Sequence, residues 1–93
     1  MSTEPRLNTP TNITTATSTQ VKTGPGNLYS IVVNKTAAGT IGIFDGTSGH
    51  TTNTIGTMKA SIVEGTYIFD CHFGEGLYIV TGGASDITVN WTV

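Results

Sequence analysis

Large apolar side chains recur at every second residue in two segments of the chain. The two series are Tyr67, Phe69, Cys71 and Phe73, and then Ile87, Val89, Trp91 and Val93. Because successive side chains of a β-strand point to opposite faces, this period of two predicts two strands that each bury one face. We expect the first series to face a common core together with Ile87, Val89 and Trp91.

The residue types of the whole chain favour sheet over helix. Threonine, isoleucine and valine supply 19, 9 and 7 of the 93 residues, whereas leucine, a strong helix former, occurs three times. β-Branched side chains lose rotamer freedom in a helix and suit a pleated sheet. The 12 glycines supply frequent turns. The chain is therefore predicted to be all-β.

Turn signals divide residues 21–93 into six strands. They recur about every 8–12 residues, a spacing typical of β-sandwiches and barrels. The predicted strands cover residues 28–34, 40–45, 55–62, 67–73, 77–80 and 87–93. Sheets of this kind bury their inner faces against each other. We expect one domain over residues 21–93, a small β-sandwich with a jelly-roll-like arrangement.

Residues 1–20 differ from the rest of the chain. They contain few apolar side chains, and no charge follows Arg6 within the segment. We expect an extended N-terminal arm that pairs with a sheet edge, since twenty extended residues reach about 66 Å, more than twice the roughly 25–30 Å width of the body. The side chains expected to contact a partner chain are Leu7, Ile13, Thr15 and Thr17. A flexible tail is the alternative.

The charge distribution excludes several classes of partner. Charged residues make up 11% of the chain, and four Lys/Arg against six Asp/Glu give a net charge of −2. The basic residues are scattered, whereas nucleic-acid binding draws most of its affinity from clustered cations. The apolar runs are too short for a transmembrane helix, and residues 1–6 lack the apolar stretch of a signal peptide. We expect no nucleic-acid or membrane partner, and synthesis in a cytoplasm.

So small a domain has few ways to gain stability. A chain of this size hides only about 60–65% of its unfolded surface on folding. Its single cysteine, Cys71, cannot form an intramolecular disulfide, and one cysteine with two histidines does not supply a structural zinc site. Self-association or docking onto a partner is the remaining route. We therefore expect a homo-oligomer, either a trimer or a dimer.

The residues that could carry catalysis are not placed to do so. Cys71 and His72 are neighbours on a predicted strand, so the thiol and the imidazole point to opposite faces. Asp70 shares the face of His72, but too few carboxylates converge there for metal binding or acid–base work. No glycine-rich phosphate-binding loop precedes a helix. We expect no enzyme, no catalytic site, no metal and no cofactor.

Five motifs resemble small β proteins encoded by tailed bacteriophages. They are VKTGPGNLYSIVVN at 21–34, GTIGIFDG at 39–46, GTYIF at 65–69, GLYIV at 76–80 and DITVNW at 86–91. The resemblance covers about residues 20–93, and the predicted arm carries no diagnostic motif. It implies a virion structural component, above all a capsid decoration (cement) protein with a jelly-roll-like body. It implies no catalytic residues.

The resemblance and the composition lead to one expected function. We expect a non-enzymatic decoration protein that binds the major capsid protein on the outer surface of the assembled head and stabilises it. The low charge predicts attachment that resists salt, and Tyr29 and Tyr78, in nearly all-apolar strands, are expected at an interface. A tail, fibre or receptor-binding module that stacks host glycans on Tyr29, Tyr67 or Tyr78 is the alternative. A bacterial adhesin or enzyme accessory domain also remains open.

Overall fold

The computed structural model describes residues 9–47 and 49–93, which form eight β-strands and contain no helix, and so none that could cross a membrane. The strands are β1 (Thr9–Ile13), β2 (Ser18–Thr23), β3 (Gly26–Lys35), β4 (Ile41–Asp45), β5 (Thr54–Met58), β6 (Gly65–Phe73), β7 (Gly76–Thr81) and β8 (Asp86–Thr92). The prediction of an all-β chain is confirmed.

The strands form two four-stranded sheets that pack together as a sandwich. The first sheet has the order β1-β8-β3-β6, and the second has the order β2-β7-β4-β5. Every pairing within the two sheets is antiparallel. Strands β1 and β6 are therefore the edges of the first sheet, and β2 and β5 are the edges of the second.

One apolar core lies between the two sheets. Its buried side chains are Ile13, Leu28, Ile31, Val33, Ile41, Ile43, Met58, Phe73, Leu77, Ile79, Ile87 and Val89. Tyr67, Phe69, Cys71 and Trp91 are partly buried against it, so both alternating series face the core as predicted. Val93 is the exception, because β8 ends at Thr92 and leaves it exposed.

Residues 9–20, which we expected to form most of an extended arm, lie within the sandwich. β1 pairs with β8 from Thr9 opposite Trp91 to Ile13 opposite Ile87, and β2 pairs with β7. The physical reason is that β7 and β8 would otherwise each leave one row of backbone groups unpaired, and this segment satisfies them within the same chain. Residues 1–8 of the expected arm lie outside the described residues.

Irregular backbone interrupts the first sheet near its β6 edge. Between Leu28 and Ser30 of β3, the register shifts against both neighbouring strands. On the β6 side, Asp70 has a φ of 49°, in the left-handed region that a non-glycine residue seldom adopts. Two residues of β6 there face one residue of β3, Tyr29, which is the geometry of a β-bulge. The period-two pattern of β6 carries no signal of this bulge.

Candidate binding surfaces

The search for a functional site begins with metal-ligating side chains and concave surfaces. Residues 9–47 and 49–93 contain no group of three or more His, Cys, Asp or Glu side chains that could hold an ion. The same part of the chain has no concave pocket. The surfaces that these residues present are the outer faces of the two sheets and their edges.

Cys71 and His72 lie on opposite sides of β6. The Cys71 side chain packs against the core, whereas His72 is exposed. Burial raises the pKa of the Cys71 thiol, and the negative charges of Asp70 and Asp45 raise it further. Because the nucleophile is the thiolate, this environment keeps the sulfur in its unreactive protonated form.

Three of the four arm residues expected to contact a partner are described by the structure. Ile13 is only 5% exposed in the core of its own chain, so its side chain is not available to a partner. Thr15 and Thr17 lie in the turn between β1 and β2, where the Thr81 hydroxyl donates to the Thr15 carbonyl oxygen at 2.6 Å and accepts from the Thr17 backbone N–H at 3.0 Å. Leu7 lies outside the described residues. Ile13 therefore lies apart from Thr15 and Thr17, in the core and not in the turn.

Tyr29 and Tyr78, the two expected interface aromatics, lie on different sheets. Tyr29 is 45% exposed and stands at the register shift of β3 in the first sheet. Tyr78 is partly buried in β7 of the second sheet, between the buried residues Leu77 and Ile79. Alternation along the strand therefore turns Tyr78 to the outer face of the second sheet.

The outer face of the second sheet carries a small aromatic face, which we define as Gly42, Phe44, Tyr78 and Val80. Phe44 lies directly opposite Tyr78 across β4 and β7, and Gly42 lies opposite Val80. The Phe44 ring folds over Gly42, where an added β-carbon would come within 2.7 Å of the ring. None of the four residues carries a charge. The aromatic face is thus an uncharged surface with a glycine beneath the Phe44 ring.

A glutamine fixes one border of the aromatic face. Gln20 of β2 lies opposite Tyr78, and its side-chain amide donates to the carbonyl oxygens of Lys22 and Gly46, both at 2.9 Å. A β-carbon added to Gly76 would lie 2.9 Å from the same nitrogen. The amide therefore ties β2 and β7 to the turn that follows β4.

Side-chain amides form hydrogen bonds on the outer face of the first sheet, in what we call the amide network. The Asp86 carboxylate accepts hydrogen bonds from Asn12 at 2.7 Å and from Asn34 at 3.2 Å. The Asn34 amide also donates to the Thr88 hydroxyl at 3.0 Å. These groups satisfy one another across β1, β8 and β3. The amide network thus offers a partner few unpaired donors.

Asp45 holds the hairpin between β6 and β7. Its carboxylate accepts hydrogen bonds from the backbone N–H groups of Gly74, Glu75 and Gly76, at 2.9, 2.8 and 3.3 Å. Burial has the largest single influence on its pKa and raises it. The three N–H bonds and the charge of His72 together outweigh burial, so the pKa of Asp45 lies below its ordinary value of 3.8. The aspartate is a structural clamp on the turn.

Sequence reasoning missed the exposed apolar side chains at the β6 edge. Ile68 of β6 is 60% exposed, and Val63, just before the strand, is 72% exposed. The signal was present, because Ile68 shares its strand face with Asp70 and His72 and is apolar where its neighbours are polar. The place of Phe44 on an outer face was also missed, because its strand is a nearly continuous apolar run that does not distinguish the two faces.

Comparisons with protein families and with curated sequences identified no relative of the chain. No family model matches the chain, and no curated protein sequence is significantly similar to it.

Proposed function

We propose that the protein is a non-enzymatic virion component that decorates the outer surface of a phage head. It would be made in the host cytoplasm, bind the major capsid protein as a trimer or dimer, and stabilise the assembled shell. The resemblance of residues 20–93 to small β proteins of tailed phages supports this, as does the low charge of the chain. The described residues offer outer faces and edges for binding and no pocket.

The observation that carries this proposal is the strand order of the sandwich. Each sheet interleaves strands from both halves of the chain, as β1-β8-β3-β6 and β2-β7-β4-β5. An eight-stranded sandwich of two Greek keys has this interleaving, and we propose that the domain is a jelly roll. Jelly rolls recur in viral capsid proteins and in lectins. Because one fold hosts many functions, the strand order supports the proposal only alongside the surface chemistry.

The aromatic face is the proposed attachment surface. Gly42, Phe44, Tyr78 and Val80 form an uncharged patch where β4 and β7 pair without a register shift. Contacts to such a patch are apolar and gain little from charge attraction. At about 1 M salt, where the Debye length is about 3 Å, attachment should therefore persist. The amide network on the opposite face is already satisfied within the chain.

A second candidate function is a tail, fibre or receptor-binding module that contacts host glycans. It is favoured by the neighbouring rings of Phe44 and Tyr78, since aromatic faces are a common platform for sugar rings. Both candidates use the same surface, so copy number separates them. Hundreds of copies per purified particle support decoration, and a dozen or fewer support the tail role.

The test uses particles stripped of the protein and then incubated with the purified full chain. Wild type should rebind and remain bound in about 1 M salt. Val80→Lys should weaken rebinding, because it places a charge in the aromatic face. Asn27→Lys, an exposed position on the first sheet, is the matched control and should rebind normally. Release of the wild type by salt, or absence of the protein from particles, would contradict the decoration proposal.

A further inference from the structure

The bulge between β3 and β6 directs a carboxylate onto the outer face of the first sheet. Phe69 and Asp70 of β6 together face Tyr29 of β3 at this point. Phe69 and Cys71 both pack against the core, so alternation turns Asp70, which lies between them, outward. Bulges are common beside functional sites, where they redirect a side chain. The exposed Asp70 side chain therefore stands on the outer face, next to the strand position of Tyr29.

The backbone of Asp70 is held in a conformation that costs free energy. Its φ of 49° lies in the left-handed region, which aspartate tolerates better than most residues but far less readily than glycine. Strained positions of this kind persist where the surrounding structure holds them, and they cluster at ligand-binding sites. The presence of aspartate where glycine would fit the backbone better indicates that the carboxylate itself has a use.

Other exposed side chains surround Asp70 on the same face. Tyr29 is 45% exposed, and Ile68 of β6 is 60% exposed. His72 is exposed two residues after Asp70, on the same face of β6. We call Tyr29, Ile68, Asp70 and His72 the Tyr29 patch. At about 3.4 Å per residue it extends roughly 13 Å along β6, which is the length of a short oligosaccharide.

The polar groups of the Tyr29 patch are not used by the fold. Between residues that the structure describes, no hydrogen bond involves the Tyr29 hydroxyl, the Asp70 carboxylate or the His72 ring. The amide network on the same sheet differs, because its donors and acceptors satisfy one another. The Tyr29 patch thus offers a ligand an aromatic ring together with hydrogen-bond donors and acceptors.

We propose that the Tyr29 patch binds a neutral sugar. The ring of Tyr29 would stack on the apolar C–H face of the sugar, and the Asp70 carboxylate would accept hydrogen bonds from two neighbouring hydroxyls. The His72 ring would bond a further hydroxyl. This site lies on the first sheet and the aromatic face lies on the second, so the inference does not rest on the proposed attachment to a capsid.

Charge and shape select this ligand. The Asp70 carboxylate disfavours an acidic sugar, because like charges repel, and the patch holds no lysine or arginine to offset it. The bulge also interrupts the β6 edge, and bulged edges resist pairing with an added strand, so an extended peptide fits poorly. Since residues 9–47 and 49–93 form no concave pocket, the sugar would lie on an open platform.

The test is an NMR titration of the isotope-labelled full chain with methyl glycosides of glucose, galactose and mannose. A hexose of about twelve non-hydrogen atoms, bound with the low efficiency of an open site, has a dissociation constant in the millimolar range. At least one neutral glycoside should therefore shift the backbone amide signals of Tyr29, Asp70 and His72 below about 50 mM. The matched acidic probes, methyl glucuronide and methyl galacturonide, should not.

Substitutions separate sugar binding from folding. Asp70→Gly should raise the dissociation constant at least about tenfold, because hydrogen bonds to a charged group are lost. Its melting temperature should stay the same or rise, because glycine relieves the left-handed backbone. Tyr29→Ala should weaken binding, whereas Tyr29→Phe keeps the ring and should retain most of it. Glu75→Gln, which removes an exposed carboxylate from the nearby hairpin, is the matched control and should bind as the wild type does.

Four results would overturn the inference. If no neutral glycoside shifts these amide signals up to about 50 mM, the patch is not a sugar site. Shifts confined to the strands around Phe44 and Tyr78 would place the sugar on the aromatic face instead. An Asp70→Gly variant that binds as tightly as the wild type would give the bulge a purely structural role. If Tyr29→Ala abolishes binding to shells while no glycoside binds, the patch is a protein contact.

Discussion

The ring of Phe69 in β6 lies over Gly56 in β5, so that a β-carbon added to Gly56 would lie 3.1 Å from Phe69 Cε2. The two strands are edges of different sheets, and the glycine lets the ring close the gap between them. Ile43 of β4, which pairs with Gly56 on the neighbouring strand, is fully buried. This contact therefore seals one open side of the sandwich.

Removing the Phe69 ring should destabilise the fold without changing its outer faces. Phe69→Ala should lower the free energy of unfolding by about 2–3 kcal/mol, somewhat below the usual loss for a fully buried aromatic. Urea unfolding measures this. Phe69→Leu, which keeps part of the volume, should cost clearly less. Equal stabilities for the alanine variant and the wild type would mean that the ring does not seal the core.

Gly39 should not tolerate a side chain. A β-carbon there would lie 2.4 Å from backbone atoms of Gly82 and Gly83, and backbone cannot move aside cheaply. Gly39→Ala should destabilise the protein by about 2–3 kcal/mol, as overpacking does. Gly74→Ala is the control, because the nearest atom to an added β-carbon is 3.9 Å away. Similar melting temperatures for the two variants would contradict the close approach of these loops.

Trp91 should contribute through both packing and a hydrogen bond. Its ring is partly buried against the core, and its Nε1 donates to the Thr11 hydroxyl at 3.1 Å. Trp91→Ala should cost about 3 kcal/mol, and Trp91→Phe should cost less because it keeps most of the ring. Thermal unfolding of both variants checks this. Near-native stability of the alanine variant would make Trp91 a surface platform and favour glycan binding.

Asp45 should make stability depend on pH in the acid range. Because its pKa in the folded state lies below 3.8, the folded state favours the carboxylate. Its stabilising contribution is therefore fully present well above pH 3.8 and is lost as the pH falls through the lower folded pKa. Asp45→Asn removes this titration. The stability difference between wild type and variant, measured by urea unfolding from neutral pH to about 2.5, should shrink as the pH falls.

If the stability difference between the wild type and Asp45→Asn stays constant over this pH range, the charge of the Asp45 carboxylate contributes nothing to the turn. Glu75→Gln serves as the control for the hairpin, since the Glu75 backbone N–H, and not its side chain, binds Asp45.

The alternating pattern predicted the strands that have a strong apolar face of their own. β6 and β8 have such faces, and their core-facing residues lie where the pattern placed them. β1 and β2 do not, because Ile13 and Val21 are their only large aliphatic side chains. Their position depends on the unpaired edges of β8 and β7, which are distant in sequence. A local pattern contains no information about such a partner.

The sequence predicts the candidate binding surfaces less completely than it predicts the core. The alternation marks Ile68 as an outlier, but its exposure at an open edge follows from the strand order. The aromatic face likewise needs the register that places Phe44 beside Tyr78. Bulges shift that register, and the left-handed backbone of Asp70 has only a weak signal in residue type, since aspartate adopts this conformation more often than most residues but far less readily than glycine.

The position of β8 between β1 and β3 sets the order in which the molecule can be assembled. On the ribosome, β1 and β3 emerge long before the strand that joins them. The first sheet therefore has no continuous hydrogen-bonded ladder until residues 86–92 are free to insert. Such sequence-distant pairing is expected to make folding slow. During that delay the exposed faces of β3 and β6 would be open to premature association, so concentration and chaperone supply should govern the yield of folded protein.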